Sequence, residues 1–206
     1  MWKQLAAKVG TAALRTLDPE TAHTMAIEGL KTGLMPRLSD MPANPPYKLF
    51  GLPLNALTAI PAGFDKQAEV PAQVFASLGA GILEAGTLTT RKRAGNRGLV
   101  GEKGVLMKRL PNGGAFNWFG LPCDPDNFIA NLEAYRRDNP KGQGNILGIS
   151  IMAPDMPAAQ GAQELGVLAS KINVYADYIA INVSCPNTEQ HVDGALADIE
   201  GYVKAV

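Results

Sequence analysis

The residues of this sequence that are best suited to chemistry lie in one short polar stretch, 184–188, directly after an apolar run. The run 178–183 is rich in β-branched residues and contains no Gly or Pro, which is typical of a strand buried on both faces of a parallel sheet. The thiol of Cys185 then lies between two amides, Asn182 and Asn187. Because ligands bind beyond the carboxyl ends of parallel strands, we expect these side chains at a binding or catalytic site. The alternative is a strand followed by an ordinary Asn/Pro turn.

Two earlier predicted strands also end in loops that suit a ligand site. The sequence predicts strands over 54–62 and 82–87, joined by a helix over 68–78. The loops after these strands, 63–66 and 86–90, are rich in Gly, Lys and Thr. The order strand, helix, strand predicts a parallel sheet with right-handed crossovers. The alternation continues with a helix over 127–137, a strand over 146–151, a helix over 160–175, the strand over 178–183 and a helix over 194–206.

The first part of the chain, 1–36, predicts a pair of helices that precede the sheet. Apolar residues recur at helical spacing over 2–17. Asp18-Pro19-Glu20 supplies an N-cap, a proline at the first helical position and an early acidic residue for a second helix over 19–32. The apolar surface of this pair is consistent with a segment that rests on a membrane or surrounds an apolar tunnel. The alternative is a helical hairpin that packs on the main domain.

Two hairpins are predicted outside this series of strands and helices. A small hairpin over 48–54 is placed to close the bottom of a barrel. A second is formed by 105–109 and 115–118 around a Pro-Asn-Gly-Gly turn. The basic, Gly-rich stretch 91–103 precedes it, and we interpret that stretch as a solvated loop; the alternative is a contact with a flavin or substrate phosphate.

Composition limits the function classes that need to be considered. Lys plus Arg and Asp plus Glu both number 19, so no basic surface field indicates nucleic acid. The 2 cysteines, Cys123 and Cys185, are too far apart in sequence for CxxC spacing, so neither a disulfide framework nor a metal site is predicted. No apolar run approaches the roughly 18 residues of a membrane span, and no secretory signal is recognisable, which favours a reduced, cytoplasmic setting.

Three motifs in register along the strands resemble those of the dihydroorotate dehydrogenase family. They are AGFDK at 62–66, EAGTLT at 84–89 and INVSCPNT at 181–188. The stretch LDPETAH at 17–23 resembles the class 2, membrane-associated and quinone-using branch. The resemblance spans essentially the whole chain. It implies an α/β fold of the (β/α)8 TIM-barrel type with about the first four βα units present, behind an N-terminal helical pair.

The resemblance also implies how the chain is divided into domains and which reaction it catalyses. Residues 1–36 would be a helical segment for membrane and quinone access, and 37–206 a partial FMN-binding barrel domain. The implied reaction oxidises dihydroorotate to orotate with FMN and passes the electrons to a quinone, in pyrimidine (UMP) biosynthesis. The implied location is peripheral, on the cytoplasmic side of the inner membrane, with contact through the N-terminal helices.

Individual residues take their implied roles by their match to the family motifs. Cys185 falls on the position of the catalytic base, which takes the proton from C5 of dihydroorotate. The flavin-contacting positions are Ala62, Gly63, Lys66, Thr87 and Asn182. The substrate-binding positions are Lys66, Asn117, Asn182 and Asn187. His23 and Arg15 lie in the helical mouth, where a basic side chain could face the quinone carbonyl, with solvent exposure the alternative for Arg15.

The residue types agree with these roles. A Gly lets the backbone approach the flavin ring closely, and a Lys beside the flavin favours its negatively charged reduced form. Amide side chains suit orotate, whose ring edge alternates donors and acceptors. A thiol, with a pKa of about 8.5, is an adequate base.

The sequence also departs from the family pattern. Class 2 enzymes carry Ser where this chain has Cys185, whereas Cys is the signature of class 1. Residues 118–123 lack an expected substrate amide, and 150–154 lack an expected flavin-facing Asn and a Lys. At 206 residues the chain is shorter than the roughly 250 of a complete barrel, so a second chain or a C-terminal half is expected to complete the fold. The alternatives are a related FMN oxidoreductase that acts on another small cyclic amide, and a non-catalytic half-barrel fragment.

Overall fold

The computed structural model describes residues 2–32, 47–54, 56–94, 107–112, 114–117, 122–142, 145–153, 156–183 and 199–206. The helices are α1 (Trp2–Leu14), α2 (Pro19–Lys31), α3 (Ala72–Ser77), α4 (Pro125–Asp138), α5 (Ala158–Ile172) and α6 (Ile199–Ala205). The strands are β1 (Tyr47–Leu49), β2 (Leu52–Leu54), β3 (Ala59–Ile60), β4 (Ile82–Leu88), β5 (Arg93–Ala94), β6 (Met107–Arg109), β7 (Ala115–Asn117), β8 (Pro122–Cys123), β9 (Ile146–Ile151) and β10 (Tyr178–Ile181).

The predicted parallel sheet is confirmed. Its 4 strands lie in the order β10-β9-β4-β3, and every neighbouring pair is parallel. The strand β9 has the predicted bounds, and all of its residues are buried. Helices separate the long strands in sequence, as the βα alternation requires. The carboxyl ends of β3, β4, β9 and β10 therefore meet at one edge of the sheet.

The two faces of this sheet differ in character. The face turned to the helices is apolar and almost completely buried; with the helices it forms one core that includes Leu83, Ala85, Leu147, Ile149, Ile151, Phe75, Phe128, Leu132, Leu165 and Ile172. The opposite face carries Glu84, Gly148 and Tyr178, and the Tyr178 hydroxyl donates to Glu84 Oε2 at 2.9 Å. A Cβ on Gly148 would lie 2.2 Å from the Tyr178 ring, so only glycine lets this side chain cross β9.

The first predicted hairpin is confirmed as β1 paired antiparallel with β2. The Phe50 ring in its turn lies 5.8 Å from the Tyr178 ring, measured between centroids. Because Tyr178 is the first residue of β10, the hairpin lies near the amino ends of the strands, which agrees with the predicted position at the bottom of a barrel. The second hairpin is confirmed as β6 paired with β7.

Two predicted elements are shorter than expected. The strand predicted over 54–62 is reduced to β3, because Leu54 pairs with Tyr47 in the first hairpin. The helix predicted over 68–78 begins only at Ala72, because the Asp65 carboxylate holds the preceding residues in a turn. The predicted final helix is seen as α6; residues 184–198 lie outside the described residues.

The N-terminal helices form as predicted and differ in burial. Asp18 caps α2, and its Oδ1 accepts from the N–H groups of Glu20 and Thr21 at 2.9 and 3.0 Å. Ile27 and Leu30 of α2 belong to the core. Helix α2 therefore packs on the main body, whereas the described side chains of α1 are mostly exposed.

Candidate active site

The turn after β3 is joined directly to the end of β4. The N–H of Gly63 donates to the carbonyl oxygen of Gly86 at 2.9 Å, and the N–H of Gly86 donates to the carbonyl oxygen of Asp65 at 3.1 Å. These two hydrogen bonds connect the first two sequence motifs. The structure thus brings Ala62, Gly63 and Lys66 beside the peptide that precedes Thr87.

A buried carboxylate, that of Asp65, stabilises the turn after β3 from its core side. Asp65 accepts hydrogen bonds from the N–H groups of Glu69 and Val70 at 2.9 and 3.0 Å, and its side chain is shielded from solvent. Burial raises the pKa of this carboxyl group, and the main-chain donors act in the opposite direction. Asp65 thus stabilises the turn that follows Lys66.

Lys66 meets the second hairpin above the sheet. Its Nζ donates to Oδ1 of Asn117 at 3.1 Å, and Asn117 is the last residue of β7. Two predicted substrate-binding residues are therefore in contact. An ammonium group beside an amide is suited to an anionic ring that also carries donors and acceptors.

The backbone of Gly63 faces open space next to this pair. Gly63 has φ +98°, and a Cβ at this position would meet only Asn117 Nδ2, at 3.9 Å. Gly86 has φ +117°, and a Cβ there would lie 2.7 Å from the carbonyl oxygen of Ser150. Gly86 is thus required for close packing, whereas Gly63 leaves room for a flat ligand above the turn.

A second polar cluster joins the ends of three neighbouring strands. Thr87 Oγ1 lies 2.9 Å from Ser150 Oγ, and Nδ2 of Asn182 donates to Thr87 Oγ1 at 3.1 Å. Thr87 and Ser150 are 5% and 3% exposed. Thr87 and Asn182, both predicted flavin contacts, are therefore brought together. The sequence analysis did not predict a role for Ser150 and noted only that the family has an Asn there. The position of Ser150 near the end of a predicted buried strand could have indicated a site residue.

The described residues fit the ring of FMN. The open face of Gly63, the ammonium group of Lys66 and the hydroxyl and amide groups of Thr87 and Asn182 lie along one edge of the sheet. Cys185 and Asn187 lie outside the described residues, three and five positions after Asn182 in the sequence. In the described part of the chain, no group of three or more His, Cys, Asp or Glu residues could hold a metal ion.

A separate cavity of about 310 Å³ lies between the helical pair and the second hairpin. Its lining includes Leu14, Ala22, His23, Phe64, Met107 and Arg109. The His23 ring lies edge-on to Phe64, and its Nε2 is 2.7 Å from the carbonyl oxygen of Phe64. That contact requires Nε2 to carry a proton. Burial lowers the pKa of the His23 imidazole, and the positive charge of Lys66 acts in the same direction.

Arg109 is a cavity residue that sequence reasoning missed. Its guanidinium group donates to the carbonyl oxygens of Arg15 and Leu17, which follow the end of α1. Arg15 also lines the cavity, and its side chain is exposed. Arg109 lies in a polar hairpin, where nothing in the local pattern separates it from the other basic residues. Arg109 and its partners are more than 90 positions apart in the sequence, so only the fold brings them into contact.

Comparison with known proteins decides the family. The family model described as "Dihydroorotate dehydrogenase" matches residues 47–198. The chain belongs to the dihydroorotate dehydrogenase family. A protein of Shewanella loihica named "Dihydroorotate dehydrogenase (quinone)" is 32% identical over 209 residues, which cover 96% of this chain and 58% of that protein. A protein of Vibrio atlanticus with the same name is 35% identical over 179 residues, covering 84% and 49%.

Solved structures of the family agree with the fold. Crystal structures of DHODH from Eimeria tenella, one in complex with ferulenol and one ligand-free, align with TM-scores of 0.72 and 0.73. Both are 25% identical and cover 91% of this chain, but only 51% and 53% of their own chains. The parallel sheet is thus part of the dihydroorotate dehydrogenase TIM barrel. The chain spans about half the length of the curated relatives it matches.

Proposed function

We propose that this chain carries the flavin- and substrate-binding part of a quinone-dependent dihydroorotate dehydrogenase. Such an enzyme oxidises dihydroorotate to orotate in pyrimidine biosynthesis. The observation that carries the proposal is the contact between Lys66 and Asn117 beside the open backbone of Gly63. Relatives named for this activity at 30–35% identity support it.

FMN is the proposed cofactor. When bound, it would provide the acceptor for the hydride that leaves C6 of the substrate. Ala62 and Gly63 would lie against its ring, because the turn leaves space there. Thr87 and Asn182 would donate or accept hydrogen bonds at the ring edge, and Lys66 would place a positive charge near it. The packed ends of β4 and β9, where Thr87 and Ser150 are 5% and 3% exposed, would shield one side of the ring from water.

Substrate recognition is proposed to depend on one ammonium group and several amides. Lys66 would attract the negative charge of dihydroorotate, and its contact with Asn117 orients both side chains toward the same space. Asn182 and Asn187 would bind the remaining edge of the ring. An array of this kind favours a planar anion with alternating donors and acceptors.

Cys185 is the proposed base. Its Sγ, as the thiolate, would take the proton from C5 of dihydroorotate, and the thiol would later release that proton to solvent. The thiolate is the reactive form, and the positive charge of Lys66 would favour it in the proposed site. The role depends on the match of Cys185 to the family motif.

The helical pair is proposed to lead a quinone to the flavin. The cavity of about 310 Å³ has a mainly apolar wall, and its lining includes Phe64, which is the residue after Gly63. Leu5, Val9 and Met25 are 51%, 60% and 53% exposed on α1 and α2. We infer that this surface makes peripheral contact with the cytoplasmic side of the inner membrane. No helix among the described residues has the length and apolar character to cross a bilayer.

The barrel is proposed to be completed by a C-terminal half or by a second chain. In the described sheet, β3 and β10 are the outermost strands, and every residue of β10 is only partly buried. Ile199 and Val203 of α6 are 41% and 62% exposed. Apolar side chains and open strand edges of this kind require covering.

The test is to load the purified chain with FMN and add dihydroorotate under anaerobic conditions. Loss of the visible flavin absorbance is expected. Bound flavin that keeps its colour with dihydroorotate, but loses it with another cyclic amide, would favour the related oxidoreductase instead. A chain that binds no flavin would indicate a non-catalytic half-barrel and would overturn the proposal for this chain.

A further inference from the structure

Gln67, the residue after Lys66, connects the turn to a distant part of the chain. Its Nε2 donates to the carbonyl oxygen of Pro122 at 3.2 Å, and its Oε1 accepts from the N–H of Asp124 at 3.4 Å. Its own carbonyl oxygen accepts from Nδ2 of Asn131 at 2.8 Å. Both ends of the side-chain amide and the main chain are therefore bound to β8 and the first turns of α4.

These contacts place Lys66 between two anchored neighbours. Asp65 is held from the core side by main-chain N–H groups, and Gln67 is held from the side of β8. Lys66 itself projects between them and binds Asn117, which precedes Pro122 by only five positions. Two successive residues of one turn thus bind the last residue of β7 and the first residue of β8.

We propose that Gln67 is a positioning residue for substrate binding. It fixes the turn from which Lys66 projects, relative to the segment that carries Asn117. This inference rests on the proposed function, because Lys66 and Asn117 are its substrate-binding residues. A long Lys side chain has many rotamers, so a fixed main chain on both sides narrows the positions that its Nζ can reach.

Both contacts depend on the amide of Gln67. Its Nε2 donates to a main-chain carbonyl while its Oε1 accepts from a main-chain N–H, and neither a thioether nor a carboxylate can do both. Gln67→Met removes both contacts at nearly constant size and adds no charge. Gln67→Glu keeps the acceptor for Asp124 but sets an oxygen against the Pro122 carbonyl. Gln163→Glu is the matched control, since Gln163 is an exposed residue of α5.

The experiment uses the 206-residue chain loaded with FMN and measures three quantities for each variant. These are the Kd for orotate, from the perturbation of the flavin spectrum, the Kd for FMN, and the rate of amide hydrogen exchange over residues 64–67. Loss of this side-chain anchor, whose two hydrogen bonds measure 3.2 and 3.4 Å, is expected to weaken orotate binding about tenfold in both Gln67 variants. Exchange over 64–67 is expected to accelerate, and FMN affinity to change less than about twofold, because Gly63 is held by Gly86 instead.

Several outcomes overturn the inference. Unchanged orotate affinity and unchanged exchange in Gln67→Met would do so, as would an equal loss of FMN and orotate affinity, which would indicate a general structural defect. An effect confined to Gln67→Glu would assign the change to charge rather than position. A wild-type chain that binds FMN but no orotate would overturn the proposed function; in that case exchange in Gln67→Met still decides whether Gln67 holds the turn.

Discussion

Lys66 Nζ lies 3.1 Å from Oδ1 of Asn117, although the two residues are separated by 51 positions in sequence. One follows β3, at the edge of the parallel sheet, and the other ends the hairpin formed by β6 and β7. Their contact closes the hairpin over the carboxyl ends of the strands. The backbone of Gly63 lies beside this contact, since a Cβ on Gly63 would lie 3.9 Å from Asn117 Nδ2.

Replacement of Lys66 by Met is expected to weaken orotate binding more than replacement of any neutral residue of the site. A hydrogen bond to a charged group contributes about 1.5–3 kcal/mol, which corresponds to a Kd increase of roughly ten- to hundredfold. Asn117→Ala is expected to raise the Kd for orotate about tenfold, since the proposed hydrogen bond from Asn117 to orotate is made by a neutral amide. The measurement is an orotate titration of the FMN-loaded chain. Lys171→Met, on the exposed side of α5, is the control, and an equal loss there would contradict the assignment.

Gly63→Ala is expected to reduce both stability and FMN affinity. The φ of +98° is unfavourable for any residue with a Cβ, so the free energy of unfolding should fall by about 1–2 kcal/mol. The added methyl group would also enter the space proposed for the flavin ring. Thermal unfolding and FMN titration measure the two effects. Gly10→Ala, in α1 with nothing within 4 Å of its Cβ, should lower neither quantity.

Acidification is expected to weaken the fold through His23. Burial lowers the pKa of this imidazole below 6.5, and the positive charge of Lys66 lowers the pKa further. The hydrogen bond to the Phe64 carbonyl and the negative charges of Glu69 and Glu20 raise the pKa in part. The folded chain therefore binds fewer protons here than the unfolded chain, so the free energy of unfolding falls as pH drops below 6.5 and levels off beneath the folded pKa. The slope from one group is at most about 1.4 kcal/mol per pH unit.

Chemical denaturation at a series of pH values tests this expectation. His23→Gln retains a side-chain donor for the Phe64 carbonyl but cannot titrate. The difference in unfolding free energy between the wild type and this variant should therefore change with pH in the stated window. A difference that stays constant across that window would contradict the role of His23.

The buried ion pair before β10 is expected to be essential for the strand that leads to Asn182. Arg136 donates to Asp177 at 2.8 Å, and their side chains are 9% and 2% exposed. Arg136→Met would leave the buried Asp177 carboxylate without its cationic partner, with only the N–H groups of Gly142 and Leu147 bound to it among the described residues, which costs about 3–5 kcal/mol. Lys204→Met, which breaks the exposed pair with Glu200, should cost less than about 0.5 kcal/mol. Denaturant unfolding compares the two, and equal effects would contradict this account.

Local sequence patterns were sufficient to predict the parallel sheet. The apolar run at 146–151 became β9 without change, because a fully buried strand tolerates neither charge nor Pro. The carboxyl ends of such strands meet by geometry alone, and Thr87 and Asn182, which the family resemblance assigned to the flavin, lie at two of these ends.

Several contacts that the sequence did not predict are hydrogen bonds from side chains to main-chain groups, some local and some between distant positions. The Asp65 carboxylate shortened α3 by binding main-chain N–H groups, and helical periodicity cannot reveal such a competitor. The side chains of Gln67 and Arg109 bind main-chain carbonyls far along the chain, and carbonyls carry no sequence signal. The pairing of β5 with β8 was missed for a different reason: each strand has only 2 residues, which is too short for a recognisable pattern.

The most direct test of the central claim is the yield of orotate in a single anaerobic turnover of the FMN-loaded chain. Dihydroorotate is added without any electron acceptor, and orotate is quantified after separation. The account predicts an amount of orotate equal to the bound flavin for the wild type, and far less for Lys66→Met. Bound flavin with no orotate formed in the wild type would contradict it.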